Sequence, residues 1–311
     1  MSQKSHLCVI HIKQPHFGKS RSAINYKYMR RTFVQALFLM LLAAFTATNA
    51  LSRKTYTTAY EKKSYPLPSF KAISASAGID VIFSPGQGRQ KVEAEADRKL
   101  LPYLSLTVKN GTLVIGMKKT KPLMNKSIIV RVSGNRGIDE LQASSGAEIE
   151  VTGPLKSNGE LRLSASSGGE IHLKKGVTCT TLQTGVSGGG EMEVEKITCK
   201  TLRADASGGG ETELKGISAD NIRAQASGGG DITLSGICRR SADLMASGGG
   251  EIDAEELKAA HTTAKASGGG EISCYARYSL TANAASGGTV SYRGNPTQVK
   301  RESKQGIRHK K

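Results

Sequence analysis

Apolar and polar residues alternate along most of this chain, and from residue 145 onward the alternation falls into registered blocks. Glu170-Ile171-His172-Leu173, Glu191-Met192-Glu193-Val194, Glu211-Thr212-Glu213-Leu214, Asp231-Ile232-Thr233-Leu234, Glu251-Ile252-Asp253-Ala254 and Glu271-Ile272-Ser273-Cys274 share one form. An acid comes first, and the second and fourth positions are mostly apolar. A period of two predicts a strand with one buried face. A Gly or charged turn such as Lys215-Gly216 follows, and then a second alternating stretch. Its inward set is Leu202, Ala204 and Ala206 in one block and Ile222, Ala224 and Ala226 in the next. Arg203, Asp205, Arg223 and Gln225 face outward.

The blocks are tied together by the string Ser-Gly-Gly-Gly, which starts at Ser187, Ser207, Ser227, Ser247 and Ser267, each 20 residues after the last. An acid follows every copy: Glu191, Glu211, Asp231, Glu251 and Glu271. Looser copies lie around Gly146 and Gly168 and at Ser286 to Thr289. A 20-residue repeat without helical periodicity predicts an all-β fold, a parallel β-helix or β-solenoid whose coils stack about 4.8 Å apart. Such a thin coil has no room for a bulky aromatic in every turn, in keeping with 5% aromatics and no Trp. Residues 67–144 are strand-rich but carry no repeat. Asn110-Gly111 between Leu104–Val108 and Thr112–Gly116 reads as a hairpin. This region is expected to cap the first open edge of the solenoid.

The stacked motif supplies the candidate site: a surface ladder of Ser187, Glu191, Ser207, Glu211, Ser227, Asp231, Ser247, Glu251, Ser267 and Glu271. Its glycines predict a tight corner, because Gly accepts positive φ and close backbone approach. The serine hydroxyls are expected to hydrogen-bond to one another along the axis. Carboxylates stacked from Glu148 to Glu271 repel, so the column is expected to be solvated, neutralised by basic neighbours, or occupied by cations. Ca²⁺ is the one cofactor this chemistry admits, although the calcium-binding nonapeptide pattern is absent. No other cofactor, metal site or catalytic residue is expected. Cys179 and Cys199 are one period apart and should stack, near enough for a disulfide if their Cβ vectors allow. Cys238 sits one place out of step with Ser247 and should point to the other face. Cys274 replaces an inward aliphatic.

Charge refines the picture by segment. The whole chain is +18, but residues 1–50 hold 7 basic and no acidic residues, and residues 145–289 hold 14 basic and 18 acidic. Arg30 and Arg31, the apolar run from Phe33 to Phe45, and Thr48-Asn49-Ala50 make residues 29–50 a secretory signal peptide. Residues 1–28 then read as a gene-model extension or a long n-region. After cleavage no stable transmembrane segment is expected. A polar lead-in spans 51–66, the repeats span 145–290, and residues 291–311 read as a basic disordered tail. A mildly acidic repeat body argues against nucleic acid as a partner.

The order of parts resembles a known family. Phe-Lys-Ala-Ile-Ser-Ala-Ser-Ala-Gly-Ile-Asp-Val-Ile-Phe at Phe70 to Phe83 is followed by a Gly-rich turn. Val-Glu-Ala-Glu-Ala-Asp at Val92 to Asp97, Gly-Thr-Leu-Val-Ile at Gly111 to Ile115 and the serial Ala-Ser-Gly-Gly-Gly-Glu/Asp coils come next. Over residues 67–290 the chain is similar to the head GIN domain of auto-transporter adhesins, common in Bacteroidetes. The resemblance implies a right-handed parallel β-helix, export to the periplasm, outer surface or medium, an adhesion role, and no catalytic residues to carry over. The expected partner is a glycan, matrix or surface polymer. Two alternatives stand beside it: a structural or envelope-stress-associated solenoid without a ligand, and a polysaccharide-cleaving β-helix enzyme. The enzyme is disfavoured by the absence of loop insertions and of any constellation around His172 or His261.

Overall fold

The computed structural model describes residues 60–118, 128–134 and 137–310. The signal peptide, the segment before it and most of the lead-in lie outside the described residues. The described chain is all-β apart from one short 3-10 turn, Leu101–Tyr103. From residue 140 onward it winds as a parallel β-solenoid. The regular coils are single strands bent around the core, Glu211–Ser227, Asp231–Ser247 and Glu251–Ser267, each in parallel register with the next.

Each coil has three flat faces. The first begins at the acid: residues 191–193, 211–213, 231–233, 251–253 and 271–273 stack there. The second passes through Cys199, Ala219, Cys238 and Ala259. The third returns through 201–207, 221–227, 241–247 and 261–267 to the serine. Alternate residues enter the core as the period of two requires. Ile232, Ile252 and Ile272 stack fully buried on the first face, and Ala204, Ala206, Ala224 and Ala226 line the third. Small residues there bring the opposing faces close, which explains the lack of aromatics in the repeats.

The entrance to the solenoid departs from sequence order. Ala72–Ala75 and Asp80–Ser84 form a coil that lies between two others. Thr112–Met117 and Ile129–Ser133 pair with it on one side; Glu140–Ser144 and Glu148–Val151 pair with it on the other. Three antiparallel strands finish that end. Leu104–Lys109 forms the expected hairpin on Thr112–Met117, Lys91–Asp97 runs against Ile129–Ser133, and Tyr60–Tyr65 runs against Lys91–Asp97. Antiparallel strands break the coil-on-coil stacking and so cap the parallel edge.

Two expectations are corrected. The basic tail is not without structure. Gln298–Arg301 and Ile307–His309 add two parallel strands to the stack, on Ser279–Ala284 and Thr289–Arg293. Lys310 pairs with Glu255 and donates to Ser273 Oγ at 3.1 Å, Arg293 pairs with Glu255 at 3.1 Å, and His309 stacks on Tyr292 at 4.6 Å. The tail has few apolar residues because a terminal coil needs few inward positions; charge pairing and backbone ladders hold it instead.

Cys238 does not face outward either. It is 1% exposed and stacks in the inward column with Ala219. The step from Leu234 to Gly236 lies opposite the longer step from Leu214 to Ile217, and the slip is recovered between Cys238 and Ser241. A local irregularity absorbs the offset, and the exposed side chain is Ile237.

Candidate functional site

The corner between the third and first faces is a type I′ turn. Gly208 and Gly209 have φ of +57° and +78°, and Gly210 N–H donates to Ser207 C=O at 3.0 Å. The same bond recurs at Gly190, Gly230, Gly250 and Gly270. The three glycines answer different demands. At Gly209 an added Cβ would meet nothing within 4 Å, so only the backbone conformation asks for glycine. At Gly210 φ is ordinary, but a Cβ would lie 2.8 Å from the backbone of Val186 in the coil below. The third glycine therefore exists because coils stack at backbone contact. Its carbonyl is also used: Glu211 N–H donates to Gly190 C=O, and Asp231 N–H to Gly210 C=O, at 3.0 and 2.9 Å.

The corner lines up every member of the sequence-derived ladder. Ser187, Ser207, Ser227, Ser247 and Ser267 stack in one column, and Glu191, Glu211, Asp231, Glu251 and Glu271 in another. Ser227, Ser247 and Ser267 are exposed; Ser187 and Ser207 are half-buried. The expected hydroxyl-to-hydroxyl bonds do not form. Among the described residues none of these five hydroxyls is engaged by another group. Two serines at the capped end of the column differ: Ser76 and Ser144 donate to the carbonyls of Ile115 and Ala75. Beside the serine column runs a shallow groove of about 600 Å³, whose other wall includes Asp205, Gln225, Met245 and Lys265.

The acid column extends one coil further than the sequence shows, to Asp80, which pairs with Glu148. Burial raises the pKa of Asp80, Glu148 and Glu191, and the neighbouring carboxylates add to it. Asp231 is pushed up to about 6, by burial first and then by Glu251, Glu211 and Asp253. The lysines nearby serve the adjacent outward column. Lys174 holds Glu193 at 2.8 Å, Lys215 holds Glu213 at 2.8 Å and Glu193 at 3.4 Å, and these bonds keep the Glu193 carboxyl below its usual range. Among the described residues no group of three or more His, Cys, Asp or Glu is placed to hold a metal ion. The acids are single rungs, each presenting one carboxylate per coil.

Cys179 and Cys199 are neighbours as expected, with Cys179 N–H donating to Thr198 C=O in the adjacent coil. Both are free thiols, buried, with pKa pushed up to about 12 and about 11 by desolvation. Neither histidine joins a constellation. His172 lies 3.6 Å from Glu170 and 3.7 Å from Glu193, and His261 Nδ1 is 2.8 Å from Ser279 Oγ. A second groove, of about 970 Å³, lies at the capped end between Lys71, Asn110, Asp139 and Lys156. Nothing in the sequence pattern marks it, since it is assembled from four separate stretches of chain. Among the described residues no helix is long and apolar enough to cross a membrane.

The family described as "Putative auto-transporter adhesin, head GIN domain" matches residues 69–235 and 192–296. No curated protein matches the chain. Among solved structures, a putative adhesin from Parabacteroides merdae ATCC 43184 is 23% identical with a TM-score of 0.61, over 81% of this chain and 96% of that one. A putative adhesin from Parabacteroides distasonis ATCC 8503 gives 22% and 0.58, over 80% and 96%. A putative lipid binding protein from the same organism gives 21% and 0.56, over 81% and 97%. At these identities the structures share the fold.

Proposed function

The chain belongs to the head GIN domain family of auto-transporter adhesins, and on that premise we propose that it is a non-catalytic adhesin head that holds a repetitive polymer along its serine corner. The protein acts outside the cytoplasm, at the cell envelope or surface, where a glycan or matrix polymer is met. The observation that carries this is the unengaged column of Ser187, Ser207, Ser227, Ser247 and Ser267 lining one groove. Each hydroxyl is both donor and acceptor. Single contacts of this kind are weak, but a ligand with a repeating unit meets many at once, and linked contacts multiply affinity. The acid column on the other side of the turn adds carboxylate acceptors for sugar hydroxyls.

The test is adsorption of the chain to immobilised polysaccharides and matrix proteins, compared with a Ser207→Ala, Ser227→Ala, Ser247→Ala variant. Loss of about tenfold or more in apparent affinity, with an unchanged melting temperature, is expected. Equal binding by the variant would move the site away from the corner. Failure of the wild-type chain to bind any polymer would favour a structural solenoid without a ligand.

A further inference from the structure

The most irregular place on the coils lies at the opposite edge of the third face. In the coil after Glu251–Ser267, only three residue steps lead from Cys274 to Arg277, where the preceding coil takes five from Ala254 to Ala259. The shortened coil cuts the corner. Arg277 N–H donates to Ala259 C=O and Tyr278 N–H to Ala260 C=O, so Tyr278 stacks directly over Ala260. Two coils below Tyr278, about 10 Å along the axis, the Arg239-Arg240 pair bulges from the same edge, where the register slips between Cys238 and Ser241. The small Ala260 thus forms the floor of a notch, walled by Arg240 on one side and Tyr278 on the other.

The groups around this notch are poised for a ligand. Tyr278 is 47% exposed although tyrosine normally buries most of its ring. The Arg277 guanidinium lies over the ring, 4.9 Å from its centroid. The His261 ring is 6.1 Å away and tilted by 48°, and its Nδ1 lies 2.8 Å from Ser279 Oγ. Arg239 is occupied by Asp220 and Ser218, whereas Arg240 is exposed and among the described residues has no ion pair.

We propose that this notch binds an acidic sugar unit of a polysaccharide, with the sugar ring against the exposed part of the Tyr278 ring and its carboxylate or sulfate at Arg240. An aromatic face takes the C–H side of a pyranose, and a guanidinium takes a carboxylate or sulfate through paired N–H donors. A membrane surface fits less well. Between residues 145 and 290 only Ile237 and Tyr278 are exposed large apolar side chains, far short of an apolar patch. The site is separate from the serine corner, and the two are tested independently.

The experiment measures binding of the full chain to polygalacturonate and heparin, with neutral dextran, single-stranded DNA and phosphatidylglycerol vesicles as comparators. The acidic glycans are expected to bind and to weaken with salt, and dextran is expected not to bind. Tyr278→Ala and Arg240→Gln should each lower affinity about tenfold, Tyr278→Phe should retain it, and all three should melt as the wild type does. The Ser207, Ser227, Ser247 alanine variant should bind acidic glycans normally, which separates failure of this site from failure of the corner. Unchanged affinity in Tyr278→Ala and Arg240→Gln would overturn the proposal. So would DNA or vesicles binding as tightly as the acidic glycans, which would reduce the patch to general cation attraction.

Discussion

The central coils and the flanking ones make the same corner with different residues, and the difference separates local from stacking demands. In the centre, from Gly188 to Gly270, all three corner positions are glycine. In the flanks the first position is Ser145, Ser167 or Ser286, each still at positive φ, +52°, +52° and +48°. The second position remains glycine at Gly146, Gly168 and Gly287. The third is Ala147 in one early coil and glycine again at Gly169 and Gly288. Serine at the first position shows that the left-handed conformation alone is tolerable there. Glycine at the third position follows the contact with the coil below: a Cβ at Gly169, Gly230 or Gly288 would come within 2.4–2.5 Å of its backbone. The corner is therefore a local turn whose last residue belongs to the stack.

That contrast can be broken most strongly at the third position. Gly230→Val puts side-chain atoms into the Ala206 backbone, and neither backbone can retreat without breaking the ladder. A loss of more than about 3 kcal/mol, or failure to fold, is expected in thermal and denaturant unfolding. Ile252→Ala comes next: it leaves a hole in a fully buried column, at a cost of about 2–5 kcal/mol in the same measurement. Gly229→Val should cost less, about 1–3 kcal/mol, because φ is +80° but the space around is nearly open. Should Gly229→Val prove worse than Gly230→Val, the division between turn and stack would be wrong.

The smallest effects sharpen the same contrast. Gly208→Ser copies the flanking corners into the centre and should shift the melting temperature least of the glycine variants. For the acid column the sign is set by a raised folded-state pKa. Asp231 titrates near 6 in the fold against 3.8 for an unperturbed side chain. Its protonated form is favoured by folding, so that contribution is complete below about pH 4 and is lost as pH rises through 6. The melting temperature should therefore rise on going from pH 7.5 to pH 5, and Asp231→Asn should flatten this dependence. A fall over that range in the wild type, with no change in the variant, would show that the carboxylates do not oppose one another.

Much of the molecule was legible from residue order. The period of two names the inward residues, and Leu202, Ala204, Ile222 and Ala224 are all buried. The 20-residue interval sets the coil and the columns of Ser and Glu or Asp, because a repeat that stacks must place equal positions above one another. The hairpin at Asn110-Gly111 follows from local turn chemistry. The misses share a cause. Counting back from Ser247 assumes equal coils and turns Cys238 outward, whereas the shorter step from Leu234 to Gly236, opposite Leu214 to Ile217, brings Cys238 over Ala219 and the offset is recovered only between Cys238 and Ser241. The tail lacked an apolar pattern, yet Lys310 and Arg293 reach Glu255, 55 and 38 residues earlier in the chain.

What the sequence alone determined is the coil, its inward and outward faces and its repeated corner, since these depend on periodicities of two and twenty that act within one turn of chain. Only the tertiary structure decided which coil touches which. It put Ala72–Ala75 between strands from 112–117 and 140–144, assigned the third glycine its role, and left the serine hydroxyls unengaged. It also brought Tyr278, Ala260 and Arg240 onto one edge. Those outcomes rest on backbone contacts between residues 18 or more positions apart, and on one- and two-residue departures from the repeat whose direction no local pattern encodes.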